Sequence, residues 1–82
     1  MKAVLYYQVA EFKPQFHKRI EIEFAPSLGM TFFDSAMGSE VRAVQYDLDN
    51  SRLLIWLKDG GAGVHKSSNL ALEKAGWTTG PV

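Results

Sequence analysis

Residues 41–59, VRAVQYDLDNSRLLIWLKD, constrain the fold of this chain more than any other stretch. Two runs rich in β-branched, aromatic and aliphatic residues flank the polar residues 49–51, whose types favour turns. This pattern predicts a β-hairpin. With Asp49 and Asn50 as a two-residue loop, Asp47 lies opposite Arg52 and the next pair inward is Tyr46 with Leu53.

The predicted register separates the hairpin into a core face and a half-polar face. Five apolar residues form the core face: Val44, Tyr46, Leu53, Ile55 and Leu57. Leu57 lies opposite Arg42 in this register, and on the half-polar face Trp56 covers Ala43 and Lys58 lies opposite Val41. A slip of one residue would exchange the two faces, so burial of the apolar face should determine the register.

Length and composition restrict the class of protein. Eighty-two residues predict a single domain spanning residues 1–82. Lys plus Arg equals Asp plus Glu at nine each, without a basic stripe, so a nucleic-acid partner is not expected. The chain has no cysteine, which excludes disulfides, thiolate zinc sites and cysteine nucleophiles. Gln8 and Glu11 interrupt the first apolar run too early for a signal peptide or membrane span, so a cytoplasmic protein is expected.

The rest of the chain predicts strands followed by one helix. Residues 3–12 are apolar on both faces, which is typical of a central strand or a subunit contact. Residues 19–24 alternate cleanly, as in a half-solvated antiparallel strand, and residues 30–34 form a short third strand. Ser67, Ser68 or Asn69 can cap a helix over residues 70–75. The predicted fold class is α+β: an antiparallel sheet of about five strands, meander-like or barrel-like, with one short C-terminal helix.

The glycine-rich loop is the main candidate for a ligand site. Its sequence GGAGVHKS, residues 60–67, nearly matches a phosphate-binding P-loop, but His65 stands where the second glycine belongs. The parallel sheet and acidic strand of nucleotide hydrolases are also missing, so hydrolysis is not expected. Glycine amides, a lysine and a helix N-terminus can still hold an anion. The predicted anion-binding residues are Gly60, Gly61, Gly63, His65, Lys66, Ser67 and Ser68.

Two other patterns have plainer interpretations. The acidic segment that begins at Asp47 resembles the start of a calcium loop, but Lys58 stands at the twelfth position where a bidentate Glu is required. A polar turn explains it better. His17 and His65 show no metal-ligand spacing. The sequence therefore predicts no metal, no cofactor and no catalytic residue.

Ten aromatic residues are many for this length, so some should be exposed or lie at an interface. Tyr6 and Trp56 are the predicted interface residues, and a two-fold homodimer is the commonest arrangement. The leading hypothesis is a non-enzymatic binding module, homodimeric. The alternatives are a small-ligand or anion-binding protein and a small enzyme whose site assembles only in the fold. The chain is similar in kind, though not by motif, to short orphan proteins of phages and mobile gene cassettes.

Overall fold

The computed structural model of the protein describes residues 1–60 and 68–81. Within them lie five strands and one helix: β1 (Lys2–Gln8), β2 (Gln15–Glu21), β3 (Thr31–Phe33), β4 (Gly38–Asp47), β5 (Arg52–Leu57) and α1 (Asn69–Lys74). The strands form one sheet in the order β2-β1-β5-β4-β3, curled into a half-barrel.

The predicted fold class is only partly confirmed. The protein is mostly sheet, since its described helix has six residues, and the sheet is mixed instead of purely antiparallel. β1 runs parallel to β5, with Ala3 beside Leu53 and Tyr6 beside Trp56, whereas the other strand pairs are antiparallel. The physical reason lies in β1, where Val4 on one face and Leu5 on the other are both buried. Because its backbone groups are shielded from water on both faces, each edge of β1 must be paired, and β5 pairs with the edge that β2 leaves open.

The two strands of the first hairpin, β1 and β2, have different bounds from those that the sequence pattern predicts. β1 ends at Gln8, four residues before the predicted end, and pairs there with Gln15. β2 therefore begins four residues earlier than predicted and ends at Glu21, opposite Lys2. Phe12 in the connecting loop has a positive φ of 65° and an almost fully exposed side chain. The loop interrupts the apolar run that the sequence shows as one strand.

The hairpin of β4 and β5 has the predicted register in the half that lies next to its turn. Five pairs are as expected, from Asp47 with Arg52 to Ala43 with Trp56. The strands end at Asp47 and Arg52, so residues 48–51 all belong to the turn. The Asp47 carboxylate accepts hydrogen bonds from the backbone amides of Asp49 and Asn50 at 3.1 and 3.3 Å. The hydrogen bond from the Asn50 side-chain amide, with those from the Arg52 guanidinium and the Asn50 backbone amide, outweighs desolvation and holds the pKa of Asp47 below its ordinary value.

A β-bulge at Arg42 corrects the inner half of that register. Val41, not Arg42, lies opposite Leu57, so the predicted pairs of Arg42 with Leu57 and of Val41 with Lys58 are wrong. An extra residue on one strand reverses the alternation of faces beyond it. Val41 consequently points into the core, where it is 2% exposed. The placement of Tyr46 in the core layer is also wrong, since Tyr46 is 51% exposed near the end of β4.

The core lies on the inner face of the sheet and is closed by α1 and the segment after it. Leu72 of α1 and Trp77 are buried against it. The helix begins as predicted, with the Ser68 hydroxyl accepting the Ala71 amide at 3.1 Å. It also ends as predicted: Gly76 has a φ of +93°, and the Trp77 amide donates to the Leu72 carbonyl at 2.9 Å. A helix this short depends on such packing.

Asp34, in the turn between β3 and β4, ties the C-terminal segment to the sheet. Its carboxylate accepts hydrogen bonds from the Trp77 indole at 2.8 Å and the Lys18 ammonium at 3.1 Å. It also accepts the backbone amides of Ala36 and Met37 at 2.8 and 3.1 Å. Partial burial disfavours the charged form, but the hydrogen bonds from Trp77, Ala36 and Lys18 outweigh it and lower the pKa of Asp34 below its ordinary 3.8. Three separate parts of the chain thus meet at one carboxylate.

Because of this lowered pKa, the free energy of unfolding depends on pH in the acidic range. The contribution of the ionised carboxylate is fully present above the unfolded-state pKa of about 3.9 and is lost as the pH falls through the lower folded-state pKa of Asp34. We therefore expect the melting temperature of the wild-type protein to fall faster between about pH 5 and pH 2 than that of Asp34→Asn. Calorimetry at a series of pH values measures both slopes. Asp47 is present in both proteins, so parallel curves would contradict a role for Asp34.

Candidate functional site

The candidate site lies on the side of the sheet opposite the core, here called the outer face. Side chains alternate along each strand, so the pairing register assigns every residue to one face. The outer face of the four longest strands comprises Lys2, Val4 and Tyr6 of β1; His17, Arg19 and Glu21 of β2; Ala43, Gln45 and Asp47 of β4; and Arg52, Leu54 and Trp56 of β5. The described helix packs on the opposite face, where its Leu72 belongs to the core cluster.

An aromatic ridge crosses one part of the outer face; it consists of His17, Tyr6, Trp56 and Arg42. The rings of Tyr6 and Trp56 stack with centroids 4.0 Å apart and an interplanar angle of 12°. The His17 ring lies 6.4 Å from Tyr6 on the β2 side, and the Arg42 guanidinium lies 5.7 Å from the Trp56 ring on the β4 side. The Trp56 indole also donates to Gln45 Oε1 at 2.8 Å. These contacts hold both rings in one orientation.

The order of groups in the ridge limits what it can bind. One face of each ring is covered by the other ring, the Arg42 guanidinium lies over Trp56, and the His17 ring lies beside Tyr6 at an interplanar angle of 52°. Flat ligands such as unpaired bases bind by stacking on a free ring face. The ridge offers ring edges instead, on two half-buried residues. Ring edges of this kind suit apolar contact with another protein surface.

A cationic groove lies beside the ridge, at the end of the sheet where β1 begins. Its volume is about 640 Å³, and its lining includes Lys2, Arg19 and Arg52. Val4, which is 1% exposed, lies on the middle strand between the two arginines. Arg19 lies opposite Val4 on β2, and Arg52 lies next to Lys2 on β5. Strands are about 4.8 Å apart and residues rise about 3.3 Å along a strand, so the two arginines, two strands and two residues apart, start about 12 Å from each other.

Two carboxylates bound the cationic groove. Across the strands, the outermost row of side chains reads Glu21, Lys2, Arg52, Asp47, so a negative charge stands at each end and two positive charges stand between. Asp47 Oδ2 accepts from Arg52 Nε at 3.2 Å. Glu21 pairs with the terminal ammonium of Met1 at 3.4 Å. Lys2 and Arg19 make no side-chain hydrogen bond or ion pair within the described residues, which leaves their charges available.

The structure brings the two predicted interface residues together. Tyr6 and Trp56 are 50 positions apart in the chain, and the parallel pairing of β1 with β5 places them side by side. The sequence shows both as apolar residues on separate strands. It does not show that they stack, and it indicates little of the cationic groove. Only the alternation of Arg19 with its neighbours, which predicts an outward-facing arginine, points toward that groove.

Most of the predicted anion-binding loop lies outside the described residues. This holds for Gly61, Gly63, His65, Lys66 and Ser67, so the loop remains a prediction. The two members at its ends are described, and both have structural roles. Ser68 caps α1. Gly60 lies so close to Tyr7 and Val9 that a β-carbon there would overlap the Tyr7 hydroxyl and the Val9 carbonyl.

Metal-binding clusters and membrane-spanning helices are absent from the described part of the chain. No three His, Asp or Glu side chains among residues 1–60 and 68–81 lie close enough together to hold a metal ion. In the same ranges, no helix has the length and apolar character needed to span a membrane. His17 is 5% exposed, and its ring lies 6.4 Å from that of Tyr6. Its side chain forms no hydrogen bond with a described serine or carboxylate, so it gives no support to a catalytic triad.

Comparison with known proteins gives no assignment. No family model, no curated protein and no solved structure matches this chain. The functional interpretation therefore rests on the outer face alone.

Proposed function

We propose that this protein is a non-enzymatic binding module that forms a homodimer through the aromatic ridge of its outer face. The observation that carries the proposal is the Tyr6–Trp56 stack, which is half-buried in the single chain and held by Arg42 and Gln45. Tyr, Trp and Arg are enriched at the centres of protein interfaces. Because the rings are already ordered, binding through them costs little side-chain entropy.

A second copy of the chain is the partner that the charges allow most readily. The formal net charge is zero, so two copies do not repel each other at long range. A two-fold dimer places the same surface of each copy at the interface, and the ridge offers both apolar ring edges and polar groups for such a surface. Burying apolar area releases about 25 cal/mol per Å². We therefore propose self-association at micromolar concentration.

Light scattering coupled to size-exclusion chromatography tests this proposal. We expect a concentration-dependent mass approaching twice the monomer mass of 9.2 kDa. Trp56→Ala should shift the mass to that of the monomer, because it removes half of the ring stack. Arg42→Glu should do the same without changing the core, since Arg42 is exposed and its replacement removes the cation that lies over the Trp56 ring. Circular dichroism confirms that each variant is folded.

Phe33→Ser is the matched control for the position of the interface. Phe33 is 77% exposed on β3, at the opposite end of the strand order from β2, and could mediate a dimer through the sheet edge. The proposal predicts that this variant still dimerises. A dimer that survives Trp56→Ala but is lost in Phe33→Ser would place the interface on β3. A mass of 9.2 kDa at high concentration would contradict self-association altogether.

A further inference from the structure

We propose that the cationic groove is a binding site for a compact phosphate dianion, such as the phosphate group of a small organic ester. The inference depends on Lys2, Arg19 and Arg52 and is independent of the aromatic ridge and of self-association. It also differs from the predicted glycine-rich loop, which lies after β5. The groove is at the other end of β5, where that strand begins.

The positive charges of the groove exceed its own negative charge. Lys2, Arg19 and Arg52 face a single lining carboxylate, Glu21, which already pairs with the terminal ammonium. Arg52 uses its Nε on Asp47, and this contact orients the guanidinium while the other nitrogens keep their hydrogen-bonding capacity. Arg19 is exposed and has no described partner. Guanidinium groups match the oxygens of phosphate in bidentate geometry, and an ammonium supplies a point charge beside them.

The shape of the groove suits a small ligand. Its volume of about 640 Å³ falls within the usual range of roughly 300–1,000 Å³ for small-molecule sites. The lining also includes partly buried Ile20, so the organic part of an ester can contact an apolar surface while its phosphate contacts the cations. Asn50, in the turn after β4, adds an amide donor and acceptor to the lining.

The two carboxylates at the ends of the outermost row favour a compact anion over an extended one. A nucleic-acid strand crossing the sheet along this row would bring phosphates past Glu21 on β2 and Asp47 on β4, where like charges repel. Proteins that bind single strands instead align cations along the whole backbone path and supply free ring faces. The ridge stacks its two rings on each other, so neither ring presents both faces to a base. The carboxylates of Glu21 and Asp47 therefore favour a compact anion that fits between them.

An amide NMR titration of the full chain with inorganic phosphate at low ionic strength tests the site. We expect saturable shifts at residues 2–4, 19–21 and 50–52, weakened by added sodium chloride because salt screens exposed charges. Arg19→Gln should raise the dissociation constant by about tenfold, the factor for losing one charge-assisted hydrogen bond. Lys13→Gln removes one positive charge from an exposed residue of the loop between β1 and β2, at the end of these strands away from the groove. It should change the constant by less than about twofold.

Four results would overturn the proposal. The first is the absence of shifts at the groove amides at tens of millimolar phosphate. The second is an equal loss of affinity in Arg19→Gln and Lys13→Gln, which indicates general charge attraction. The third is a set of shifts confined to residues 60–69 and reduced in Lys66→Ala, which assigns phosphate to the glycine-rich loop. A single-stranded oligothymidine that shifts the groove amides at lower concentration than phosphate would likewise replace the small-ligand site with a polyanion site.

Discussion

Asp34→Ala is expected to lower the free energy of unfolding by about 2–4 kcal/mol, a large fraction of the stability of a small domain. The carboxylate accepts four hydrogen bonds, from Trp77, Lys18, Ala36 and Met37. Removing it leaves the indole N–H of Trp77, a 2% exposed residue, without its acceptor. It also releases the turn that leads into β4. An unsatisfied buried donor costs about 1–3 kcal/mol by itself.

Urea denaturation of three variants separates this effect from simple loss of an ion pair. Asp34→Asn keeps one acceptor oxygen and should cost less than Asp34→Ala. Glu40→Ala breaks the exposed pair of Glu40 with Lys58, whose side chains are 51% and 48% exposed at a distance of 3.0 Å. Such pairs contribute at most about 1 kcal/mol. If Asp34→Ala costs no more than Glu40→Ala, the carboxylate does not hold the C-terminal segment in place.

Gly60→Ala should lower the free energy of unfolding by about 1–3 kcal/mol, through crowding and not through backbone strain. The added β-carbon would overlap the Tyr7 hydroxyl and the backbone carbonyl of Val9. Tyr7 is fully buried and lies 5.9 Å from the Trp77 ring, so it has little room to move. The backbone of Val9 is similarly constrained, because it follows directly after β1. Relief therefore requires the chain after β5 to move away from β1.

Gly29→Ala is the matched comparison for that prediction. Gly29 has a φ of +84° with no atom within 4 Å of an added β-carbon. Its replacement therefore costs only the strain of a left-handed conformation, about 1–2 kcal/mol. Thermal unfolding of the two variants ranks the effects. The close approach at Gly60 predicts that its variant also weakens the near-ultraviolet signal of the packed aromatics, whereas Gly29→Ala leaves that signal intact. Unchanged spectra in both variants would contradict the crowding argument.

Local patterns predicted the parts of the fold that depend on neighbouring residues. The turn after Asp47 and the pairs nearest to it follow from turn formers between two apolar runs. The capping of α1 by Ser68 and its end at Gly76 follow from residue types that satisfy unpaired backbone groups. The two apolar faces of β1 also predicted its central position correctly. Each of these features is determined within a few residues, so its energetic cause is visible in the sequence.

The bulge at Arg42 is a feature that the same patterns did not show. An uninterrupted alternation was expected through Val41, but one extra residue turns Val41 inward against the core. Apolar residues at positions 41 and 44 are compatible with either arrangement. The choice depends on which of them finds space in the core, and that space is formed by the other strands and α1.

The candidate site depends almost wholly on contacts between distant parts of the chain. Tyr6 and Trp56 are predicted to be interface residues separately, from their size and their strands. Their stacking requires the parallel pairing of β1 with β5, which no local pattern specifies. The same pairing places Lys2 beside Arg52 and so creates the cationic groove. Strand order is decided by the combined burial of all five strands, because each local hairpin leaves an unpaired edge that several other strands can cover.

The sequence by itself thus determined the elements of this protein: the main hairpin, the central apolar strand, the capped helix and the balance of charge. The tertiary structure decided which elements are neighbours, and with that the mixed sheet, the carboxylate of Asp34 beneath Trp77, and the outer face. The physical reason is the distance along the chain over which each interaction acts. Turn and cap preferences act over a few bonds, whereas Asp34 and Trp77 meet across 43 positions only after the whole core has formed.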